Sequence, residues 1–221
     1  TRRATERLIR HAFARARERL AARGQGSRDF HCANRGRAAA QVCLITKRNA
    51  QPFWGDLYTE VFAEVAAEFP EIGVHHELVD AACMKFVQCP WTFDVVVASN
   101  LHGDILTDLA AVLSGGLGLA PSCNINPDSR AMPALFEPTH GSAPDIAGQN
   151  IANPLAMMLS VAMMLRYSLN ETAMAERIEA AVGSVLDDGL RTADIASEGM
   201  KRVSTVEMGD AVLAAFEHYQ A

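Results

Sequence analysis

Phe93-Asp94-Val95-Val96-Val97-Ala98, and beyond it Asn100-Leu101-His102-Gly103-Asp104-Ile105-Leu106-Thr107-Asp108, is the stretch whose reading decides the fold. The first six residues hold a continuous apolar run built on three valines, which suits a strand buried on both faces. From about Asp104 the apolar spacing becomes helical and stays so to Leu113. A buried strand that passes straight into a helix is the unit of an α/β fold with a mostly parallel sheet. On that helix Asp104 and Asp108 lie four apart, so their carboxylates stack on one face, one turn from each other. Such a pair repels by roughly 0.2–0.5 kcal/mol. A cation held by both offsets that cost, and hard oxygen donors suit Mg²⁺ or Mn²⁺. The pair follows a strand end, where α/β sheets place ligands. Asp80, where a short strand gives way to a helix, is the third candidate ligand. The plainer alternative makes Asp104 a helix cap and leaves Asp108 facing solvent.

Working outward, residues 3–22 show helical periodicity through Leu8, Ile9, Phe13 and Leu20 among many arginines. Residues 23–38, rich in Gly and Arg, are expected as a loop. Gln41–Thr46 is a short apolar strand. Residues 54–69 are an amphipathic helix ended by Pro70. Residues 74–79 form a second strand, and a short helix from Asp80 stops at Pro90. Downstream, residues 114–133 hold many Gly, Pro and Asn and are expected as a long loop. Leu135-Phe136-Glu137 leads into a second loop over residues 138–153. Helices are expected near 155–167, 171–188 and 206–219. The methionine pairs Met157-Met158 and Met163-Met164 are core packing rather than a cofactor box. His75 and His76 are read as structural or solvent-facing. There is no G-x-G-x-x-G, so a Rossmann dinucleotide site is not expected, and Gly115, Gly116 and Gly118 are read as a helix stop and loop.

About half of the 221 residues are apolar, enough for a sizeable core. The formal net charge is −6, but residues 1–48 hold 13 Lys/Arg against 3 Asp/Glu. Such a segment could attract nucleic acid; a solvated helix face is the preferred reading, with no nucleic-acid partner. Five cysteines, an odd number with no C-x-x-C pair, argue against a disulfide framework or a zinc site and suit a reducing cytoplasm. The longest apolar run, residues 155–165, is too short for a bilayer crossing of about 20 residues, and no membrane association is expected.

Two strings carry a resemblance. Asn100 to Asp108 resembles the N-L-F-G-D-I-L-S/T-D motif of the isopropylmalate, isocitrate and tartrate/D-malate dehydrogenases. Glu137-Pro138-Thr139-His140-Gly141-Ser142-Ala143-Pro144-Asp145-Ile146-Ala147-Gly148, continued by Asn150-Ile151-Ala152-Asn153-Pro154, is similar to their E-P-V-H-G-S-A-P-D-I-A-G loop. Within that family, Thr46-Lys47-Arg48-Asn49-Ala50-Gln51 with Phe53-Trp54, and the segment Pro121 to Pro127, resemble the tartrate/D-malate group most. The resemblance implies an α/β fold of the isopropylmalate dehydrogenase type. It implies NAD-dependent oxidation and decarboxylation of a small 2-hydroxy dicarboxylate (D-malate, tartrate or 3-isopropylmalate), with Mg²⁺ or Mn²⁺, and it leaves room for a monovalent cation such as K⁺. It assigns Asp80, Asp104 and Asp108 to the metal, with Asp80 given by the partner subunit of a homodimer whose active sites are shared. Lys47 and Asp80 are the implied catalytic pair, Lys47 too being delivered across the dimer interface, and Lys47 and Asn49 are the implied substrate contacts. Glu137, His140, Gly141, Ser142, Ala143, Asp145 and Asn153 are the implied cofactor residues. Asp145 bears on cofactor choice, because a carboxylate accepts from ribose hydroxyls and repels a 2′-phosphate. NAD is therefore expected over NADP. A lysine acts as base only if its pKa is brought down.

The sequence also departs from the family pattern. His102 stands where the motif has Phe, and Thr139 where it has Val. Residues 23–40 are an arginine-rich insertion. The family's substrate-binding arginines and catalytic tyrosine are expected upstream of Thr1, so the chain is read as incomplete at its N-terminus. Residues 1–115 would be part of the small, dimer-forming domain, and 116–221 the C-terminal part of the large NAD-binding domain. Little turnover is expected of this polypeptide alone, and the alternative reading is an inactive fragment or interaction module that keeps the fold.

Overall fold

All six residues of strand β1 (Gln41–Thr46) are buried, and this strand is the centre of the first half of the chain. The computed structural model describes residues 1–23 and 40–218. The expected insertion at 23–40 lies outside them except for its two end residues. The described chain forms two compact units, Thr1–Ala110 and Ala111–Ala221.

In the first unit β1 pairs in parallel with β2 (Gly73–Leu78) on one side and β3 (Val95–Val97) on the other. Val42 and Leu44 face a layer made by helices α1 (Arg2–Arg23) and α2 (Pro52–Ala66), where Ile9, Phe13, Val61 and Val65 are almost fully buried. The Phe13 ring lies 5.4 Å from Phe62 and 5.1 Å from Phe69. Cys43 and Ile45 face the opposite layer, with Ala82 and Phe86 of α3 (Val79–Gln88) and Leu106 of α4 (Asn100–Leu113). Strand side chains alternate between faces, and here both faces are covered, hence the unbroken apolar run. Burial drives the Cys43 thiol up to about 12, so it stays protonated and packs as a small apolar group.

Several expectations change. The run at 93–98 was expected to be buried on both faces. Only Val95–Val97 is strand, Val95 and Val96 are half-buried, and the central position belongs to β1. Asp94 leaves the ladder: its carboxylate, fully shielded, accepts from Arg19 Nε (2.7 Å), Arg23 Nη1 and Nη2 (2.8 and 2.6 Å) and the Gln41 amide (3.2 Å). Burial works to raise the Asp94 pKa, but the hydrogen bonds from Arg23 and Arg19 outweigh it and hold the carboxyl below its ordinary value. The α4 helix begins at Asn100, not Asp104, because the Ser99 hydroxyl accepts from the His102 amide at 3.3 Å and caps the first turn. Asp104 therefore lies in the second turn, which removes the capping alternative. The α2 helix stops at Ala66, short of Pro70, and the next residues close tight turns.

The arginines of α1 are answered by acids close in space. Arg2 reaches Glu60 and Glu64 of α2 (3.1 and 2.5 Å), Arg10 reaches Glu68 (2.7 Å), and Arg17 reaches Glu71 (2.9 Å). Arg10 also bonds Glu6 within α1 at 2.8 Å.

In the second unit, β4 (Pro121–Asn124) and β5 (Leu135–Pro138) form an antiparallel ribbon that places Ser122 opposite Glu137. Residues 114–133 are thus not one loop: cross-strand pairing wins over a Pro- and Asn-rich composition. Helices α5 (Leu155–Met164), α6 (Thr172–Asp187) and α7 (Thr205–His218) bury Leu155, Val182, Val185, Met208 and Val212 together. A π-helical turn over Leu165–Leu169 extends α5, and Asn170 in the left-handed region ends it. The strands β6 (Leu190–Arg191) and β7 (Lys201–Arg202) make a two-residue parallel pair that lacks any sequence signal.

Candidate active site

Because β1, β2 and β3 run in parallel, their carboxyl ends lie on one side of the sheet. Lys47 is the first residue past β1, Asp80 the second past β2, and Asp104 the seventh past β3. The implied catalytic and metal residues of the first unit therefore share one edge of the sheet, where ligands bind in α/β folds.

Lys47 is partly buried, and its Nζ lies 2.7 Å from Asp80 Oδ1. The hydrogen bond from Lys47, helped by a backbone amide in the first turn of α3, holds the Asp80 carboxyl below its usual range. Asn49 is exposed in the turn after Lys47, which is closed by hydrogen bonds from Ala50 and Gln51 to the Lys47 carbonyl (2.9 and 2.8 Å). Gly55 fixes the approach of α2 to that turn, since a Cβ there would come within 2.4 Å of Arg48 Cβ.

Asp104 and Asp108 are both exposed on α4. Asp104 accepts a hydrogen bond from Asn100 Nδ2 at 3.3 Å, and neither carboxylate meets a cation among the described residues. Within one chain Asp80 does not join them: no group of three His, Cys, Asp or Glu with metal-holding geometry forms among the described residues. Their donor set still fits the ion, because two stacked, uncompensated oxygen donors are what Mg²⁺ or Mn²⁺ takes up.

Two histidines belong to this end of the sheet. His76 Nε2 lies 2.7 Å from the Oγ1 of fully buried Thr46, the residue before Lys47. Thr46 Oγ1 also accepts from the Arg48 amide at 3.3 Å, so of the two readings of His76, structural or solvent-facing, the structural one holds: it braces the Lys47 turn. Desolvation, then the charge of Arg48, lowers its pKa. His102 is buried, with its ring centroid 5.5 Å from that of Trp54 in an edge-to-face arrangement and its Nδ1 without a partner among the described residues. Burial, then the Lys47 charge, lowers its pKa and keeps it neutral. No local pattern marks these contacts, which join residues 30 and 48 positions apart.

In the second unit the implied cofactor loop leaves β5 at Pro138. The Glu137 carbonyl accepts from Ser160 Oγ (2.9 Å), which ties the loop's start to α5. His140 Nδ1 lies 2.8 Å from the Gly141 carbonyl. Gly141, Ser142, Ala143 and Asp145 are all exposed, and Ala143 sits in the left-handed region at φ 43° just before a 3-10 turn, Pro144–Ile146. Non-glycine residues held there concentrate at ligand loops. Asn153 differs from the rest: it is buried, its Oδ1 accepts from the Leu155 amide (3.0 Å) and its Nδ2 donates to Asp194 Oδ2 (3.1 Å). Gly118 completes that knot, since a Cβ would fall 2.3 Å from Asp194 Oδ2. Asp194 was not singled out from sequence; it lies 41 positions from Asn153.

The profile of the "Isocitrate/isopropylmalate dehydrogenase" family matches residues 1–212, and the chain belongs to that family. It is similar to the 3-isopropylmalate dehydrogenase of Saccharophagus degradans, with 58% identity over 174 residues, 79% of this chain and 48% of that protein. It is also similar to the 3-isopropylmalate dehydrogenase of Chromohalobacter salexigens, with 50% identity over 212 residues, 96% of this chain and 53% of that protein. Among solved structures it resembles isocitrate dehydrogenase from Methylococcus capsulatus, at a TM-score of 0.82 and 41% identity, covering 99% of this chain and 57% of that one. The chain thus spans about half the length of the curated relatives it matches.

Proposed function

We propose that this chain carries the metal, lysine and adenosine elements of an NAD-dependent dehydrogenase that oxidises and decarboxylates a small 2-hydroxy dicarboxylate. The observation that carries the reading is the 2.7 Å contact between Lys47 and Asp80 at the same sheet edge as Asp104 and Asp108. Asp104 and Asp108 would hold Mg²⁺ or Mn²⁺ together with Asp80 from a second subunit. The metal, a Lewis acid, would lower the pKa of a substrate hydroxyl and stabilise negative charge left after loss of CO₂. Lys47, as the neutral amine, would take the proton of the substrate hydroxyl, and the contact with Asp80 would position its Nζ; NAD⁺, when bound, would supply the hydride acceptor. Asn49 would contact the substrate beside it. The 140–145 loop would hold adenosine, with Asp145 accepting from the ribose hydroxyls. Asn153, fully engaged inside the protein, would shape that pocket rather than donate to the ligand.

Relatives at 50–58% identity named 3-isopropylmalate dehydrogenase favour 3-isopropylmalate over D-malate or tartrate. Among the described residues no two cysteines are joined in a disulfide, which suits a reducing cytoplasm. Among the described residues no helix is long and apolar enough to cross a membrane. The half-length match supports a second reading, a module that keeps the fold without turnover until joined to the rest of the protein.

The deciding assay is NADH formation by a full-length protein containing this chain, with Mn²⁺ and each of the three acids in turn. Turnover of 3-isopropylmalate, lost on chelation and on Asp108→Asn, is expected. Absence of NADH with all three acids would remove the enzyme reading and leave the module.

A further inference from the structure

We infer that His102 is a positioning residue for Lys47, whose ring takes over the hold on Lys47 Nζ when Asp80 turns to a metal ion. In the function proposed above Asp80 goes to the metal and Lys47 to the substrate proton, and the inference rests on that reading.

One layer of the first unit brings the three side chains together. Cys43 and Ile45 of β1 pack on the α3–α4 side of the sheet, with Ala82 and Leu106. Strand side chains alternate, so Lys47, two residues past Ile45, continues that face at the carboxyl end. Its contact with Asp80 in the first turn of α3 bears this out. On α4, His102 precedes Leu106 by four residues, and both are buried, so they share one stripe of the helix. The register brings the two ends together: Leu44 pairs with Val97, so the chain leaving β3 for α4 runs beside the chain leaving β1 for the Lys47 turn. Lys47 therefore has the Asp80 carboxylate on the α3 side and the His102 ring on the α4 side, close enough for its charge to act on that ring.

Asp80 cannot serve Lys47 and a cation equally. It accepts from Lys47 Nζ at 2.7 Å. A divalent ion on the same carboxylate repels the ammonium and competes for the oxygen it uses. Lys47 then needs a second partner to keep Nζ in place, and His102 offers one without a negative charge. Its Nδ1 is shielded and meets no partner among the described residues, a state that folded proteins seldom tolerate without a reason. A shielded nitrogen has to be met by a group already inside the layer. The flexible stem of Lys47 lets its Nζ swing across and donate to the ring. Trp54 keeps that ring from turning away: it meets His102 edge-to-face and is itself packed on Tyr58, with centroids 4.4 Å apart. A phenylalanine at 102 would fill the same space against Trp54 and give Lys47 nothing to bind.

The test uses the full-length protein as wild type, His102→Phe and His102→Gln. The Phe variant keeps the packing and drops the acceptor; the Gln variant keeps an acceptor and loses the ring packing. The first readout is acylation of Lys47 by acetic anhydride, followed by peptide mass spectrometry with and without Mg²⁺. Mg²⁺ should raise Lys47 labelling severalfold in His102→Phe and leave it nearly unchanged in the wild type and in His102→Gln. The second readout sets the denaturant midpoint against kcat. His102→Phe should have the higher midpoint and yet a kcat about tenfold lower, with KM for NAD⁺ unchanged. His102→Gln should have the lower midpoint and the smaller loss of kcat. A residue that only packs would give the opposite order, with kcat following stability. The same response of Lys47 labelling to Mg²⁺ in the wild type and in His102→Phe would overturn the inference, and so would a kcat that tracks the midpoint. A wild type that turns over none of the three acids marks instead the failure of the proposed reaction, and the labelling still decides the contact.

Discussion

Replacing Lys47 with Ala in the full-length protein removes the proposed base and leaves the Asp80 carboxylate without its cation. Turnover should fall by about 10²–10⁴-fold with little change in KM for NAD⁺, and steady-state kinetics checks this. Asp145→Lys tests a different contact: it should raise KM for NAD⁺ and leave the metal requirement unchanged. His102→Phe should raise stability by about 1 kcal/mol, because it removes a buried ring nitrogen that has no partner; thermal denaturation gives the answer. Asp94→Asn should cost about 2–3 kcal/mol, below the usual loss for a broken buried pair, since Arg19 is half exposed. The folded Asp94 pKa is depressed, so its contribution is present above the unfolded value of about 3.9 and disappears as pH falls through the folded value. Wild-type stability should drop in that acid window, and the Asp94→Asn curve should be flatter there.

Elements differ in how much of them local sequence reveals. Helices with sustained 3.6-residue spacing, α1, α2 and α6, are legible within a residue or a few at their ends, because each apolar stripe reports the face it buries. The β1 strand is legible as an apolar run, but its central place is not, since that depends on which strands flank it. The β4–β5 ribbon hides behind Pro121, Pro138 and Asn124, residues that signal turns until a partner strand supplies their hydrogen bonds. The carboxylates at the sheet edge are readable from motif and spacing. Their supports, Thr46–His76, Trp54–His102 and Asn153–Asp194, are not, because each joins distant segments by a contact with no periodic signature. Gly118 belongs to this hidden set. Gly118→Ala drives a methyl group into Asp194 and Asn153 and should destabilise the second unit by about 1–3 kcal/mol, read as a lower denaturant midpoint.

At the scale of the molecule, the uneven charge of the sequence has a folded explanation. Six α1 arginines have carboxylate partners, at Glu6, Glu18, Glu60, Glu64, Glu68, Glu71 and Asp94. Most of these pairs are exposed, so each contributes little to stability and salt weakens them. Their larger effect is on what the outside sees. A surface lined with cation–anion couples behaves toward a polyanion as a dipolar face, not as a cationic one. On a heparin column the chain should elute at low salt, as its pI near 5.6 suggests, despite an opening helix that on paper resembles a nucleic-acid arm. Replacing Glu60, Glu64, Glu68 and Glu71 together with Gln would unmask the guanidinium groups and shift that elution to higher salt.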